Sequence, residues 1–474
     1  MNDVVPPSSF FDRTVQNLWN AWRDIAARSR SSIVHTRPDL PDDDIQRLRR
    51  HIAECLENRG GEVSARARAA ELGRCFLALS STGRKRFLEI LAQDLSTDRR
   101  RIDAAIEAYQ KADNPTAATE AEIALRDVLM SPRLRLLKQL TALPDGFKFL
   151  VDLRAELLSH LPANRSLIAL DKDLQTLFSS WFDIGLLDLK RITWDAPASL
   201  LEKLIAYEAV HEIRSWDDLK NRLEPDRRCY AFFHPRMPNE PLIFVEVALV
   251  SGMAGNIQRL LDEKAPREDP QAADSAIFYS ISNTQKGLRG ISFGNFLIKQ
   301  VVDDLSRELP RLKTFATLSP IPGFRRWLER RLADGDPNLL MPAERAELRA
   351  IDSSRGAKGG LKALLANPDW HKDQVIAEAL EAPLCRLAAR YLVREKEESG
   401  KPLDPVARFH LANGARVERI NWLADTSPKG MRQSAGLMVN YLYKLSEIED
   451  NHEAYSAQGK VAISSSVKSL LGRS

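Results

Sequence analysis

Three glycines, Gly287, Gly290 and Gly294, separate an apolar run, Ala276-Ile-Phe-Tyr279, from an amphipathic stretch running from about Asn295 to Leu309. The run reads as a buried strand and the stretch as a helix. A glycine-rich turn between them lets the backbone approach a phosphate closely. The free N–H groups of the helix's first turn can then point at that phosphate. Thr314–Phe324 follows as another short strand, closed by Ser319-Pro-Ile-Pro-Gly323. Pro320 and Pro322 fix the backbone after Ser319 and so hold its hydroxyl in one place. Farther on, His410 lies in a helical stretch, Ala407-Arg-Phe-His-Leu-Ala-Asn-Gly414. Imidazole holds and releases a proton near neutral pH. Taken alone, each feature has a plainer reading: a strand-to-helix turn, a strand-ending cap, a structural histidine. Ser319 also lacks the Gly-x-Ser-x-Gly context of a hydrolase nucleophile.

The order of these elements resembles the coenzyme A site of the GNAT acyltransferase fold. The glycine loop departs from that fold's usual Gln/Arg-x-x-Gly-x-Gly/Ala spacing. Longer words narrow the resemblance to the malonyl-CoA decarboxylase family. They are Arg228-Cys-Tyr-Ala-Phe-Phe-His234, Phe278-Tyr-Ser-Ile-Ser282, Gly294-Asn-Phe-Leu-Ile-Lys299, Leu318-Ser-Pro-Ile-Pro-Gly-Phe324, Phe409-His-Leu-Ala-Asn-Gly-Ala415 and Arg419-Ile-Asn-Trp-Leu-Ala-Asp425. The resemblance covers most of the chain from about Gly185 onward.

What the resemblance implies is decarboxylation of malonyl-CoA to acetyl-CoA and carbon dioxide. Loss of carbon dioxide leaves electrons on C2, delocalised into the thioester carbonyl as an enolate. The enzyme must hold the coenzyme A handle, stabilise the oxyanion and deliver a proton to C2. The thioester is itself the electron sink, so no cofactor is expected. The family's coenzyme-binding segment falls on Arg289, Gly290, Ile291, Ser292, Phe293, Gly294 and Asn295. Its malonyl-contacting serine falls on Ser319 and its proton donor on His410, both of which also count as substrate contacts. Asn413 and Tyr443 are lesser candidates for orienting the histidine or the substrate, and His234, before Pro235, reads as a turn residue. Two other readings stay open: an acyltransferase on the same fold, and a coenzyme A-binding regulatory protein without chemistry. The family also implies a homo-oligomer, a tetramer built from dimers.

The elements that must position these groups form an α+β chain. From about Phe11 to Phe182 helix follows helix, and residues 1–182 are expected to form an all-helical bundle. Phe87, Ile90 and Leu91 share one helical face, as do Leu125, Val128 and Leu129. Residues 183–474 are expected to form a GNAT-like α/β catalytic domain with extra helices. Strands are expected at Asp188–Trp194, Cys229–Phe233 and Leu242–Val250. The turn Pro235–Pro241 joins the second to the third. Beyond Phe324 helices are expected to dominate, with a flexible joint at Gly356-Ala-Lys-Gly-Gly360.

Composition narrows the partners. The chain has 474 residues, 44% hydrophobic and 28% charged, with a net charge of +4. That charge is too small for this length to suggest a nucleic-acid surface. Arginine runs such as Arg99–Arg101 read as solvated helix faces. The four cysteines, Cys55, Cys75, Cys229 and Cys385, form no metal-ligand pair, and the eight histidines show no ligand spacing, so no metal is expected. No apolar run is long enough to cross a bilayer. The opening residues lack a signal-peptide pattern, and the ending Leu471-Gly-Arg-Ser474 lacks a peroxisomal address. A cytoplasmic location is therefore expected.

Overall fold

The computed structural model describes Leu18, Ala21–Arg23, Ile25 and residues 36–57, 61–291, 297–354 and 360–472. It is α+β, and the chain forms two compact units. The first comprises Met1–Leu187 with two short returns, His234–Pro241 and Gln285–Phe293. The second comprises Asp188–Phe233, Leu242–Thr284 and Gly294–Ser474.

The first unit is built mainly of helices, and their starts are legible in the side chains. Ser80, Asp98 and Asn114 each accept a backbone N–H from the first turn of the helix that follows them. Thr116-Ala-Ala-Thr119, a polar stretch that reads in the sequence as punctuation between helices, is the first turn of the helix Pro115–Leu129. Phe87, Ile90 and Leu91 are buried as their spacing predicts. Phe76 packs edge-on against Phe87 and Phe149 beside them. The stripe at Leu125, Val128 and Leu129 behaves differently. Its helix packs against Arg99–Gln110, yet neither helix buries a residue. Ile106, Tyr109, Ile123, Leu129 and Met130 are all exposed on this pair.

The second unit is organised by one mixed sheet. The strands of the chain are β1 (Asp188–Ile192), β2 (Arg227–His234), β3 (Met237–Val250), β4 (Ser275–Asn283), β5 (Thr314–Thr317), β6 (Ser319–Pro320), β7 (Arg416–Asn421) and β8 (Met438–Leu442), with His234 and Met237–Pro241 counted in the first unit. The order is β1-β2-β3-β4-β5-β8-β6, with β7 also on β8. Strand β3 is longer than the sequence suggests, because Met237–Pro241 continues it rather than belonging to the turn. Pro238 and Pro241 lack an N–H but lie before pairing with β4 begins at Ile243, so no bond of that ladder is lost. Helices dominate after Phe324 as expected, but two strands that the sequence reading does not anticipate, β7 and β8, lie among them. Each is five or six residues long, and β8 pairs with β5, β6 and β7. The joint at 356–360 lies outside the described residues apart from Gly360. Among the described residues, no helix is long and apolar enough to cross a membrane.

Candidate functional site

Ser319 owes its position to a break in the sheet. Strands β4 and β5 run parallel from Ser275/Thr314 to Phe278/Thr317. The Leu318 N–H still bonds the Phe278 carbonyl, at 2.9 Å. Beyond that point Ser319 pairs with Val439 of β8 instead, while β4 continues to Asn283 beside β3. The parallel strands therefore part at Ser319, whose hydroxyl lies on the sheet face shared by Val439 and Tyr441.

His410 reaches the same place from the helix Pro405–Ala412. That helix starts with Pro405 in its first turn, and the buried Asp404 carboxylate accepts the N–H groups of Val406 and Ala407, both at 2.9 Å. Burial pushes the Asp404 carboxyl up to about 6. The imidazole stacks on the Tyr441 ring at 4.5 Å between centroids. Its Nε2 lies 3.1 Å from Ser319 Oγ and its Nδ1 2.7 Å from Tyr443 Oη. Ser319 in turn donates to Thr317 Oγ1 at 2.8 Å. The structure thus brings Ser319, His410 and Tyr443 together.

Asn413 plays another part. It ends the His410 helix, with its amide donating to the Phe409 carbonyl at 2.8 Å. His234 corrects the expectation of a turn residue: it is the last residue of β2, immediately before the two-residue turn Pro235-Arg236. Its Nδ1 accepts the Arg236 N–H at 3.0 Å, and its ring stacks on Phe147.

Two residues of this hydrogen-bonded frame escape sequence reasoning, Thr317 and Asn440. Thr317 Oγ1 also accepts the Tyr441 N–H, at 3.1 Å. Asn440 donates to the Thr317 carbonyl at 2.6 Å and to the Ala254 carbonyl at 3.0 Å. Its own oxygen accepts from Asn421 and Arg419, so the word Arg419-Ile-Asn421 locks β7 and β8 behind the strand end that carries Ser319. The sequence signal was the β-rich run Leu437-Met-Val-Asn-Tyr-Leu442.

The electrostatics leave the histidine neutral at rest. Burial pushes the His410 imidazole down to about 3. It pushes the Tyr443 phenol well above its ordinary range. The histidine shift carries a stability consequence. An unfolded histidine takes a proton below about pH 6.5, whereas the folded ring resists it. The unfolded chain therefore binds more protons between pH 6.5 and 3, and stability falls as pH drops through that window. His410→Asn should flatten this acid limb by on the order of 1–3 kcal/mol at pH 4, read by urea melts at pH 7 and pH 4. Equal acid losses in variant and wild type would contradict the shift.

Of the expected coenzyme segment, Ser292, Phe293, Gly294 and Asn295 lie outside the described residues. The remainder forms a tight turn. Ile291 N–H bonds the Leu288 carbonyl at 3.0 Å, with Arg289 at φ −55°, ψ 128° and Gly290 at φ +80°. That is a type II turn, which demands a left-handed residue at its third position. Gly290 and the Arg289 side chain are exposed, and Ile291 is buried. A Cβ at Gly290 would meet nothing within 4 Å, so the glycine serves the turn's backbone rather than clearing space within the protein. Gly287 is the crowded one, because a Cβ there would lie 1.8 Å from the Val151 carbonyl oxygen. From this, Gly290→Val should weaken acetyl-CoA binding at least tenfold in calorimetric titration. Gly290→Asn, which tolerates the same φ, should weaken it far less. Equal affinities for wild type and both variants would remove the turn from ligand binding.

With this geometry in hand, the comparisons with known proteins are specific. The family model for the malonyl-CoA decarboxylase C-terminal domain matches residues 185–474, and that for the N-terminal domain matches residues 95–182. Malonyl-CoA decarboxylase, mitochondrial, of Anser anser anser is 40% identical over 426 residues, 86% of this chain and 84% of the relative. The Mus musculus protein of the same name is 38% identical over 430 residues, covering 87% and 84%. The crystal structure of malonyl-CoA decarboxylase from Rhodopseudomonas palustris superposes with a TM-score of 0.82 at 45% identity, over 90% of this chain and 99% of that one. The Agrobacterium vitis structure of the same name gives 0.82 at 46%, over 90% and 100%. The chain belongs to the malonyl-CoA decarboxylase family. By that membership it is an enzyme, a carboxy-lyase.

Proposed function

We propose that this chain converts malonyl-CoA to acetyl-CoA and carbon dioxide, with Ser319 and His410 acting on the malonyl group. The observation that carries the reading is the 3.1 Å contact between Ser319 Oγ and His410 Nε2 in a buried, hydrogen-bonded frame. The electron pair of the breaking carbon–carbon bond passes into the thioester as an enolate, and C2 then takes a proton. When substrate is bound, Ser319 turns its hydroxyl proton from Thr317, its resting acceptor, to the carboxylate or the enolate oxygen, and His410 supplies the proton to C2. Burial keeps the ring neutral until substrate arrives. The negative charge that the substrate brings then favours the protonated ring. The pair is thereby charged for proton delivery only when there is something to protonate. Tyr443 orients the ring through Nδ1. Arg289 to Asn295 hold the phosphates of the coenzyme A handle. The thioester supplies the electron sink, so the reaction uses no cofactor.

The wider reading has the chain working as a homo-oligomer in the cytoplasm, without nucleic acid or membrane as a partner. The helix pair Arg99–Gln110 and Pro115–Leu129, with its exposed apolar side chains, suits contact with another copy. Light scattering tests the assembly. Cell fractionation tests the location, since the goose and mouse relatives are named mitochondrial.

The experiment that tests the activity is purified protein with malonyl-CoA alone. Equimolar carbon dioxide and acetyl-CoA, without added amine, metal or nucleotide, is the expected result. Release that requires an amine acceptor would select the acyltransferase reading. Acetyl-CoA binding without any turnover would select a regulatory protein.

A further inference from the structure

We propose that Thr317 is a positioning residue that fixes the tautomer of His410, acting through Ser319. The proposal rests on the reading of Ser319 and His410 as the acting pair. A serine hydroxyl has one proton to give. Ser319 gives it to Thr317 Oγ1, 2.8 Å away. The remaining contact of Ser319 Oγ, 3.1 Å from His410 Nε2, is then made only if the ring donates. A neutral imidazole carries one N–H. With that proton on Nε2, Nδ1 is an acceptor, and Tyr443 Oη at 2.7 Å is its donor. Every link points the same way: Tyr443 to His410, His410 to Ser319, Ser319 to Thr317.

The direction is set at the Thr317 end, because that oxygen is held in place. It accepts the Tyr441 N–H at 3.1 Å as well. The Thr317 carbonyl is clamped by Asn440 at 2.6 Å. The next residue, Leu318, is tied to the Phe278 carbonyl. Thr317 is itself fully buried. Its oxygen is thus a fixed acceptor with little freedom to turn away. If that oxygen is removed, the Ser319 proton is free to turn onto Nε2. The ring proton then moves to Nδ1 and donates to Tyr443, and the polarity of the whole chain reverses. The histidine would present a lone pair to Ser319 in place of an N–H. The sequence gives no hint of this, because Thr317 stands in a strand as an unremarked β-branched residue two places before Ser319.

The test uses the full-length enzyme with Thr317→Val and Thr317→Ser. Thr317→Val should lower kcat by roughly 10–10³-fold with KM changed only a few-fold, and Thr317→Ser should restore kcat to within a few-fold of wild type. A purely structural role would not move the second readout, the ring nitrogen signals of ¹⁵N-histidine-labelled protein. The His410 signals are identified by their loss in His410→Asn. Wild type should carry the proton on Nε2, and Thr317→Val should shift it toward Nδ1. A wild-type ring protonated on Nδ1 overturns the proposal whatever the rates, and this measurement decides the matter if Thr317→Val does not fold. Wild-type kcat in Thr317→Val, alongside an impaired Ser319→Ala, also overturns it while leaving the Ser319–His410 reading intact. Wild-type kcat in both Ser319→Ala and His410→Asn would instead overturn that underlying reading.

Discussion

Ser319→Ala and His410→Asn should each be folded proteins that bind acetyl-CoA within a few-fold of wild type and release carbon dioxide far more slowly. Loss of a positioned general acid costs about 10²–10⁴ in rate, and loss of one oxyanion donor on the order of 10²–10³. The loss should fall on kcat, because both groups act where charge moves rather than on the coenzyme A handle. Asparagine at 410 can still hydrogen-bond Ser319, which limits the damage to the strand end. Tyr443→Phe should be milder, because it removes the partner of Nδ1 and leaves both acting groups in place. The check is initial carbon dioxide release at saturating malonyl-CoA, with calorimetric titration of acetyl-CoA alongside. Turnover within a few-fold of wild type in either single variant would remove that residue from the chemistry.

Arg154→Met should weaken both the fold and the binding of malonyl-CoA. Arg154 is buried in the helical unit and pairs with Asp171 at 2.8 Å. Its Nη1 also donates to the Gly287 and Arg289 carbonyls, at 2.6 and 3.0 Å. One guanidinium therefore supports the glycine turn from within the first unit. Methionine keeps the length of the side chain and none of the donors. It leaves the Asp171 carboxylate, at a nearly buried site, with the Gln175 amide in place of a cation, and breaking a buried ion pair by removing one partner costs about 3–5 kcal/mol. Chemical denaturation should show that loss, and the KM for malonyl-CoA should rise while kcat in the surviving folded fraction stays closer to wild type. Unaltered stability would mean that the pair is far better solvated than its burial implies.

Ser319 and His410 stand out as candidates because each sits inside a long word of distinctive composition, Leu318–Phe324 and Phe409–Ala415. Their contact was not legible, since 91 positions separate them and what unites them is the pairing of Ser319 with β8 and the stacking of the His410 ring on Tyr441 of that strand. Strand β8 was missed for a physical reason. It is short and lies between helices, and its outward polarity is low because both faces are covered. Such a run has neither the alternation of a half-exposed strand nor the length that separates strand from helix. Asn440 and Thr317 vanish with it, because their roles depend on what faces them across the sheet. Gly290 was legible as a glycine that matters, but the left-handed turn that requires it shows only in the backbone. The helix pair Arg99–Leu129 carries the reverse lesson. Its apolar stripe predicts a packed face, yet neither helix buries a residue within the chain.

The most direct test of the account is the double variant, Ser319→Ala with His410→Asn, assayed for carbon dioxide release at saturating malonyl-CoA beside the two single variants. Residues that share one hydrogen bond and one transition state lose activity as a unit. The double variant should therefore be about as slow as the slower single variant, well short of the product of the two losses. Losses that multiply fully would contradict a coupled pair and leave two residues acting independently.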